Sequence, residues 1–264
     1  MACPADHHGL ASRAVAEPTY VCAERELEPV VADGDTAAVG VSFDASKGSA
    51  ALTQRLLRFG PGRSAARGPG EREEALFVVE GDGTLLLDGV AHALEPETAV
   101  RVMPGQSYEV DNPGPGELAV VSVLVPPAAS ASREAPPVVR LADQQSREAT
   151  SDRAFRILLD PERGLTGGTQ FVGVIPPKRA PEHYHHYDEV IYVLEGEGLL
   201  HIGGEHTPIG PSSCIHLSPR LLHCVENTGP GDMRVVALFR PAGDPSEAYL
   251  PGGERAAVER SELR

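Results

Sequence analysis

Apolar positions in this chain come in short runs broken by glycine, proline, asparagine and aspartate. The stretch VIYVLEGEGLLHIGG, Val190 to Gly204, reads as a strand, a Gly-x-Gly turn, a second strand and a Gly-Gly turn. ALFVVEGDGTLLLDG, Ala75 to Gly89, repeats that order and closes on Asp-Gly. Glycine adopts positive φ without steric cost, so both stretches predict antiparallel hairpins. Gly 28 and Pro 24 are spread as punctuation along the whole sequence. Many short strands joined by tight turns predict an all-β sandwich or barrel.

The likeness of these two stretches extends over most of the chain. LTQRLLRFGPGRS from Leu52 lies against GTQFVGVIPPKRA from Gly168 at an offset of 116, and NPGPGELAVVSVLVPP from Asn112 lies against NTGPGDMRVVALFRPA from Asn227 at 115. A slip of one residue between Arg63 and Glu74 belongs in a loop. A repeat of this length predicts two homologous domains. The boundaries expected are an arm over 1–28, a first barrel over 29–127, a linker over 128–139, a second barrel over 140–250 and a tail over 251–264. The join lies within PPAASASREAPP, Pro126 to Pro137, whose composition cannot pack a core.

Charge narrows the partners. Asp plus Glu outnumber Lys plus Arg by 38 to 23, giving a net charge of -15, which disfavours nucleic acid and anionic membrane surfaces and leaves a small molecule as the expected partner. The first residues lack a signal-peptide pattern and no apolar run is long enough to span a bilayer, so a cytoplasmic protein is expected. Cys3, Cys22, Cys214 and Cys224 form no CxxC pair and are read as reduced thiols.

The chemistry concentrates in EHYHHYDEVIYVLEGEG, Glu182 to Gly198. Side chains alternate across a strand, so His183, His185 and Glu189 share a face with Ile191 and Val193 if the strand is extended from His183 to Leu194. Two imidazoles and a carboxylate on one rigid element suit a transition metal. His223, on a second predicted strand opened by Pro219 and closed by Asn227-Thr-Gly, offers a fourth donor.

His183-x-His185-x3-Glu189-x6-Gly196, followed by His223-x3-Asn227, resembles the two signature motifs of the cupin superfamily, and the duplication makes the chain similar to a bicupin. The resemblance implies two tandem jelly-roll β-barrels and one divalent transition metal (Fe, Mn, Ni, Co or Zn) held in the C-terminal barrel by His183, His185, Glu189 and His223. The sequence departs from the pattern ahead of His183, where Pro176 to Glu182 lacks the usual glycine, and at Ser218-Pro219-Arg220, where Pro-x-Gly is displaced.

The first copy places Glu74 and Tyr108 opposite Glu189 and His223, and either Gly68 and Gly70 or Arg67 and Pro69 opposite the two leading histidines. No histidine remains, so the first barrel is expected to be metal-free and to serve as scaffold or dimer surface. His186 and Asp188 have the opposite parity to the ligands, and Tyr192 is expected to pack on a neighbouring element. Lys178, Arg179 and Arg220 flank the ligand strands and are candidates for orienting an anionic substrate.

A metal with protein ligands and open coordination positions predicts an enzyme acting on a small oxygen-rich metabolite, with dioxygenase-like oxidation ahead of decarboxylation or isomerisation. A non-catalytic ligand-binding or sensory barrel is the alternative. Ureidoglycine aminohydrolase-like chemistry is a minor one, because the order of ligands differs. A homodimer is expected.

Overall fold

A computed structural model of the chain describes residues 20–128 and 135–257. Most of the expected arm, with Cys3, the middle of the expected linker and the last residues of the tail lie outside the described residues.

The apolar runs form strands arranged in two units, each a large sheet facing a small one. In the N-terminal unit the large sheet runs β12 (Val138–Arg140), β9 (Thr98–Val102), β6 (Glu73–Glu80), β11 (Leu118–Val125), β4 (Thr53–Phe59), β3 (Ala37–Phe43) and β2 (Val30–Val31). Against it stand β5 (Gly62–Arg63), β10 (Tyr108–Asn112), β7 (Gly83–Leu87) and β8 (Val90–Leu94). The C-terminal unit repeats the plan with β1 (Val21–Ala23), β19 (Ser213–Leu217), β16 (Asp188–Glu195), β21 (Met233–Arg240), β15 (Thr169–Ile175), β14 (Ala154–Leu159) and β13 (Arg147–Glu148), facing β18 (Glu205–Ile209), β17 (Gly198–Ile202) and β20 (His223–Asn227). All pairings are antiparallel, and the two units are tandem jelly-roll barrels.

Each barrel has its own core. Leu57, Phe59, Leu76, Leu85 and Tyr108 fill the first, and Ile191, Val193, Leu200, Ile215 and Val225 fill the second. A third cluster lies between them: Phe43, Leu56, Phe77 and Val123 of the first large sheet pack against Val172, Val190, Tyr192 and Leu238 of the second. Each side chain fully buried there contributes roughly 1.5–3 kcal/mol. This back-to-back packing explains why β6 and β16 read as continuous apolar runs, since both faces of each are covered.

Polar groups reinforce the contact. The fully buried carboxylate of Glu73 accepts hydrogen bonds from the Thr166 backbone N–H at 3.0 Å, the Thr166 hydroxyl at 2.9 Å and the Gly167 N–H at 2.8 Å. Arg234 of the second barrel pairs with Glu97 of the first and with Glu195 of its own.

The units also exchange edge strands. β1, at the end of the expected arm, adds to β19 of the C-terminal barrel, with Cys22 opposite Cys214. β12, at the end of the expected linker, adds to β9 of the N-terminal barrel, with Val138 opposite Val100. Both segments are too short for a periodic signal, yet each covers a sheet edge that would otherwise offer unpaired backbone groups.

One device recurs in both barrels. Asn227 donates through Nδ2 to the carbonyls of Ile175 and Gly231, both at 2.8 Å, and accepts from Gly229 N–H at 2.9 Å. Asn112 does the same with Phe59, Gly116 and Gly114, all at 2.8 Å. These asparagines end β20 and β10, the strands whose first residues are His223 and Tyr108.

Candidate metal centre

β16 begins only at Asp188, so the strand expected to run unbroken from His183 is divided. His183 pairs by an isolated bridge with His223, Tyr184 pairs with Tyr249, and the chain bends at His186 and Tyr187 before entering β16. Strict alternation ends at this break, and the bridge to His223 still sets His183 against the second ligand strand. The ligand atoms of His183, His185 and His223 all lie within 4.8 Å of one another. Their ring centroids are 4.7 to 5.3 Å apart.

Hydrogen bonding fixes which nitrogen each ring presents. Nδ1 of His183 contacts the Pro181 carbonyl at 2.9 Å, Nδ1 of His185 the Glu247 carbonyl at 2.7 Å, and Nδ1 of His223 the Leu221 carbonyl at 2.9 Å. A carbonyl can only accept, so each Nδ1 carries the proton and each Nε2 keeps its lone pair. Burial holds the rings neutral: it lowers His183 to about 4 and His185 to about 3, and His223 well below the ordinary histidine value. Tyr187 stacks on His185 with centroids 4.5 Å apart and on Phe239 at 3.9 Å, which fixes the His185 ring plane.

Glu189 stands on β16, opposite Leu217 and Phe239, and lines the same cavity without belonging to the tight trio. It is 5% exposed, and its carboxylate has no hydrogen-bond donor among the described residues. Burial raises it to about 8, against the opposing pull of Arg153. Three preset neutral imidazoles beside a buried carboxyl group fit a divalent cation, which would join Arg153 in favouring the ionised form of Glu189.

The cavity measures about 90 Å³, and apolar side chains including Phe155, Phe171, Ile191, Val225 and Val235 line most of it. The basic residues expected near the substrate lie elsewhere. Lys178 pairs with Asp152 at 2.6 Å, Arg179 and Arg220 are exposed, and none of the three lines the cavity. The cation that does line it is Arg153, which sequence reasoning missed. A usable signal lay in the repeat: Asp44 and Asp160 each cap a short 3-10 turn, and at the offset of 116 that aligns them Arg153 falls on Ala37.

Other residues divide as follows. Asp188 faces away from the cavity and accepts from His216 at 2.7 Å and Ser49 at 3.4 Å. His186 packs on Tyr184 and Tyr249. His201 pairs with Glu226 at 2.7 Å. The Tyr192 hydroxyl donates to Glu24 and accepts from the Ser212 hydroxyl, both at 3.2 Å, and the Cys224 thiol donates to the Ala180 carbonyl at 3.0 Å.

In the first barrel an isolated bridge joins Arg67 to Tyr108, as His183 is joined to His223, so Arg67 is the structural counterpart of His183. Its guanidinium turns to Asp35 at 2.6 Å and lies over the Phe59 ring. Glu74, the counterpart of Glu189, accepts through Oε1 from Arg55 at 2.5 Å, Ser122 at 2.5 Å and Tyr108 at 3.1 Å. An internal guanidinium thus compensates Glu74.

A profile of the family described as "Cupin domain" matches residues 55–124 and 171–239. Polyketide synthase CurC of Streptomyces cyaneus is 30% identical over 117 residues, covering 42% of this chain and 76% of that protein. Among solved structures, Ylba from E. coli superposes with a TM-score of 0.70 at 14% identity, covering 88% of this chain and 95% of that one. Bacillus subtilis oxalate decarboxylase, described with Mn(II) centres, superposes at 0.67 with 11% identity, covering 85% and 78%.

Proposed function

The chain belongs to the cupin family, with one cupin domain in each half, and from that premise we propose that its C-terminal barrel is a metal-dependent active site for a small oxygen-bearing metabolite. The observation that carries this reading is the convergence of His183, His185 and His223 with every Nδ1 already bound to a carbonyl. A purely structural cluster has no need for three orphan Nε2 lone pairs in a buried pocket.

His183, His185 and His223 would hold a cation through Nε2, with the carboxylate form of Glu189 as a further donor. The carbonyls of Pro181, Glu247 and Leu221 keep the rings aimed and increase their basicity. A divalent transition ion bound there supplies Lewis-acid polarisation of a substrate oxygen and, if redox-active, a route for electrons. The apolar walls lower the local polarity around the reacting groups and so strengthen their electrostatic interactions. Among reactions open to such a site, oxidation by dioxygen is our reading, with decarboxylation as the runner-up.

Metal analysis of protein purified without chelators tests the proposal. The expected result is about one divalent ion per chain, lost in His183→Ala and His223→Ala. Wild-type protein without stoichiometric metal would overturn it. Oxygen uptake against carbon dioxide release, measured on catechols, diketones and small carboxylic acids, then separates the two reactions.

A further inference from the structure

Arg153 closes the turn between β13 and β14. Its carbonyl accepts from Ala149 N–H at 2.8 Å, its N–H donates to Thr150 O at 3.3 Å, and the two residues before it, Ser151 and Asp152, take left-handed backbone with φ of 60° and 56°. This tight turn delivers a guanidinium into the cavity of the His trio. One donor is used: Nη2 binds the Val225 carbonyl at 2.5 Å, next to His223 and Cys224 on β20. Nε is buried with no partner, and Nη1 has none among the described residues. The anchored group keeps unspent donors beside the candidate metal site, and its charge is felt by Glu189 and all three histidines.

Charge balance points to an anion. Loading a divalent ion on three neutral imidazoles leaves Glu189 as the nearby compensating carboxylate, and Arg153 adds a further positive charge in a largely apolar enclosure. A buried excess of positive charge is costly unless a ligand neutralises it. A guanidinium offers a planar fork matched to a carboxylate. The walls beyond it, Phe155, Phe171, Ile191, Val225 and Val235, offer no second cation and little to hydrogen-bond a polyol.

We propose that Arg153 is the substrate-anchoring residue of this site and that the ligand is a monocarboxylate with an apolar body, its carboxylate on Arg153 and its remainder along the Phe155 and Phe171 wall. This rests on the metal-site reading and specifies its substrate class.

Calorimetric titration of metal-loaded protein with benzoate and with benzamide, its neutral isostere, tests the assignment. Wild type should bind benzoate and discriminate against benzamide. Arg153→Met should keep its metal and bind benzoate roughly ten- to a hundredfold more weakly. Arg153→Lys should recover part of the preference for the anion, which a merely structural role in bracing Val225 would not produce. Equal benzoate affinity in wild type and Arg153→Met, or equal binding of benzoate and benzamide by wild type, would overturn the assignment while leaving the metal site standing. Wild-type protein that takes up no metal would instead sink the underlying reading.

Discussion

His183 and His223 face each other across an isolated antiparallel bridge, the N–H of each donating to the carbonyl of the other at 3.0 and 2.9 Å. The same pair of bonds, at 2.9 and 2.8 Å, joins Arg67 to Tyr108 in the other barrel. The backbone frame for a metal centre is therefore present twice, and the side chains set on it differ.

Metal uptake should release a proton from Glu189. In the metal-free protein its carboxyl titrates at about 8, so near pH 7 it is mostly protonated, whereas the three histidines are already neutral. Ligation requires the carboxylate. Titrating the stripped protein with Mn(II) or Zn(II) at pH 7 in weak buffer should release close to one proton per ion, and Glu189→Gln close to none.

Stability of the stripped protein should fall as pH rises. The folded state holds the Glu189 proton more tightly than the unfolded chain, whose carboxyl titrates near its ordinary value, so this contribution is complete at acid pH and is lost progressively up to about pH 8. The loss is on the order of a few kcal/mol. Thermal melts in chelator should show wild type declining between about pH 5 and pH 8 relative to Glu189→Gln, and wild type should regain the loss when excess metal is added.

Removing Asn227 should loosen the centre indirectly. Asn227→Ala leaves the Ile175 and Gly231 carbonyls and the Gly229 N–H without their partner, at a cost of about 2–4 kcal/mol. It should also weaken metal binding, because β20 carries His223. Asn112→Ala should cost similar stability and leave metal affinity alone. Melting curves and metal titrations of both variants check the contrast.

Gly198 should tolerate no side chain. A Cβ there would stand 2.0 Å from the Glu226 carbonyl and 2.5 Å from the Met233 terminal carbon, although its φ is ordinary. Gly198→Ala must push β20 away from β17, so both melting temperature and metal affinity should drop. Gly231→Ala, which meets open space, is the control and should change neither.

In the first barrel, truncating Arg55 should be worse than truncating the pair. Arg55→Met strands the buried Glu74 carboxylate and should cost about 3–5 kcal/mol, whereas Arg55→Met combined with Glu74→Met should regain much of it. Denaturant midpoints of the two variants decide.

The duplicated β fold was legible because hairpin turns and repeated motifs are local signals. The convergence of His183, His185 and His223 was legible from their motif spacing, whereas Glu189, expected beside them, lines the same cavity outside the trio. Arg153 was not, since it reaches the cavity from a turn thirty residues upstream that has no periodicity of its own. Lys178, Arg179 and Arg220 were near in sequence, but Lys178 turns to Asp152, Arg179 to the Cys224 sulfur and Arg220 is exposed, so none lines the cavity. The ends of the expected arm and linker hid β1 and β12, because a three-residue strand is defined by the edge it meets.

That exchange of edge strands makes the halves mutually dependent. Splitting the chain in the 129–134 connection would separate β1 from β19 and β12 from β9, leaving each product with a bare sheet margin and half of the Phe43–Leu238 apolar contact facing water. Each half therefore supplies the strand that closes a margin of the other, and neither half has its full set of sheet edges covered when alone.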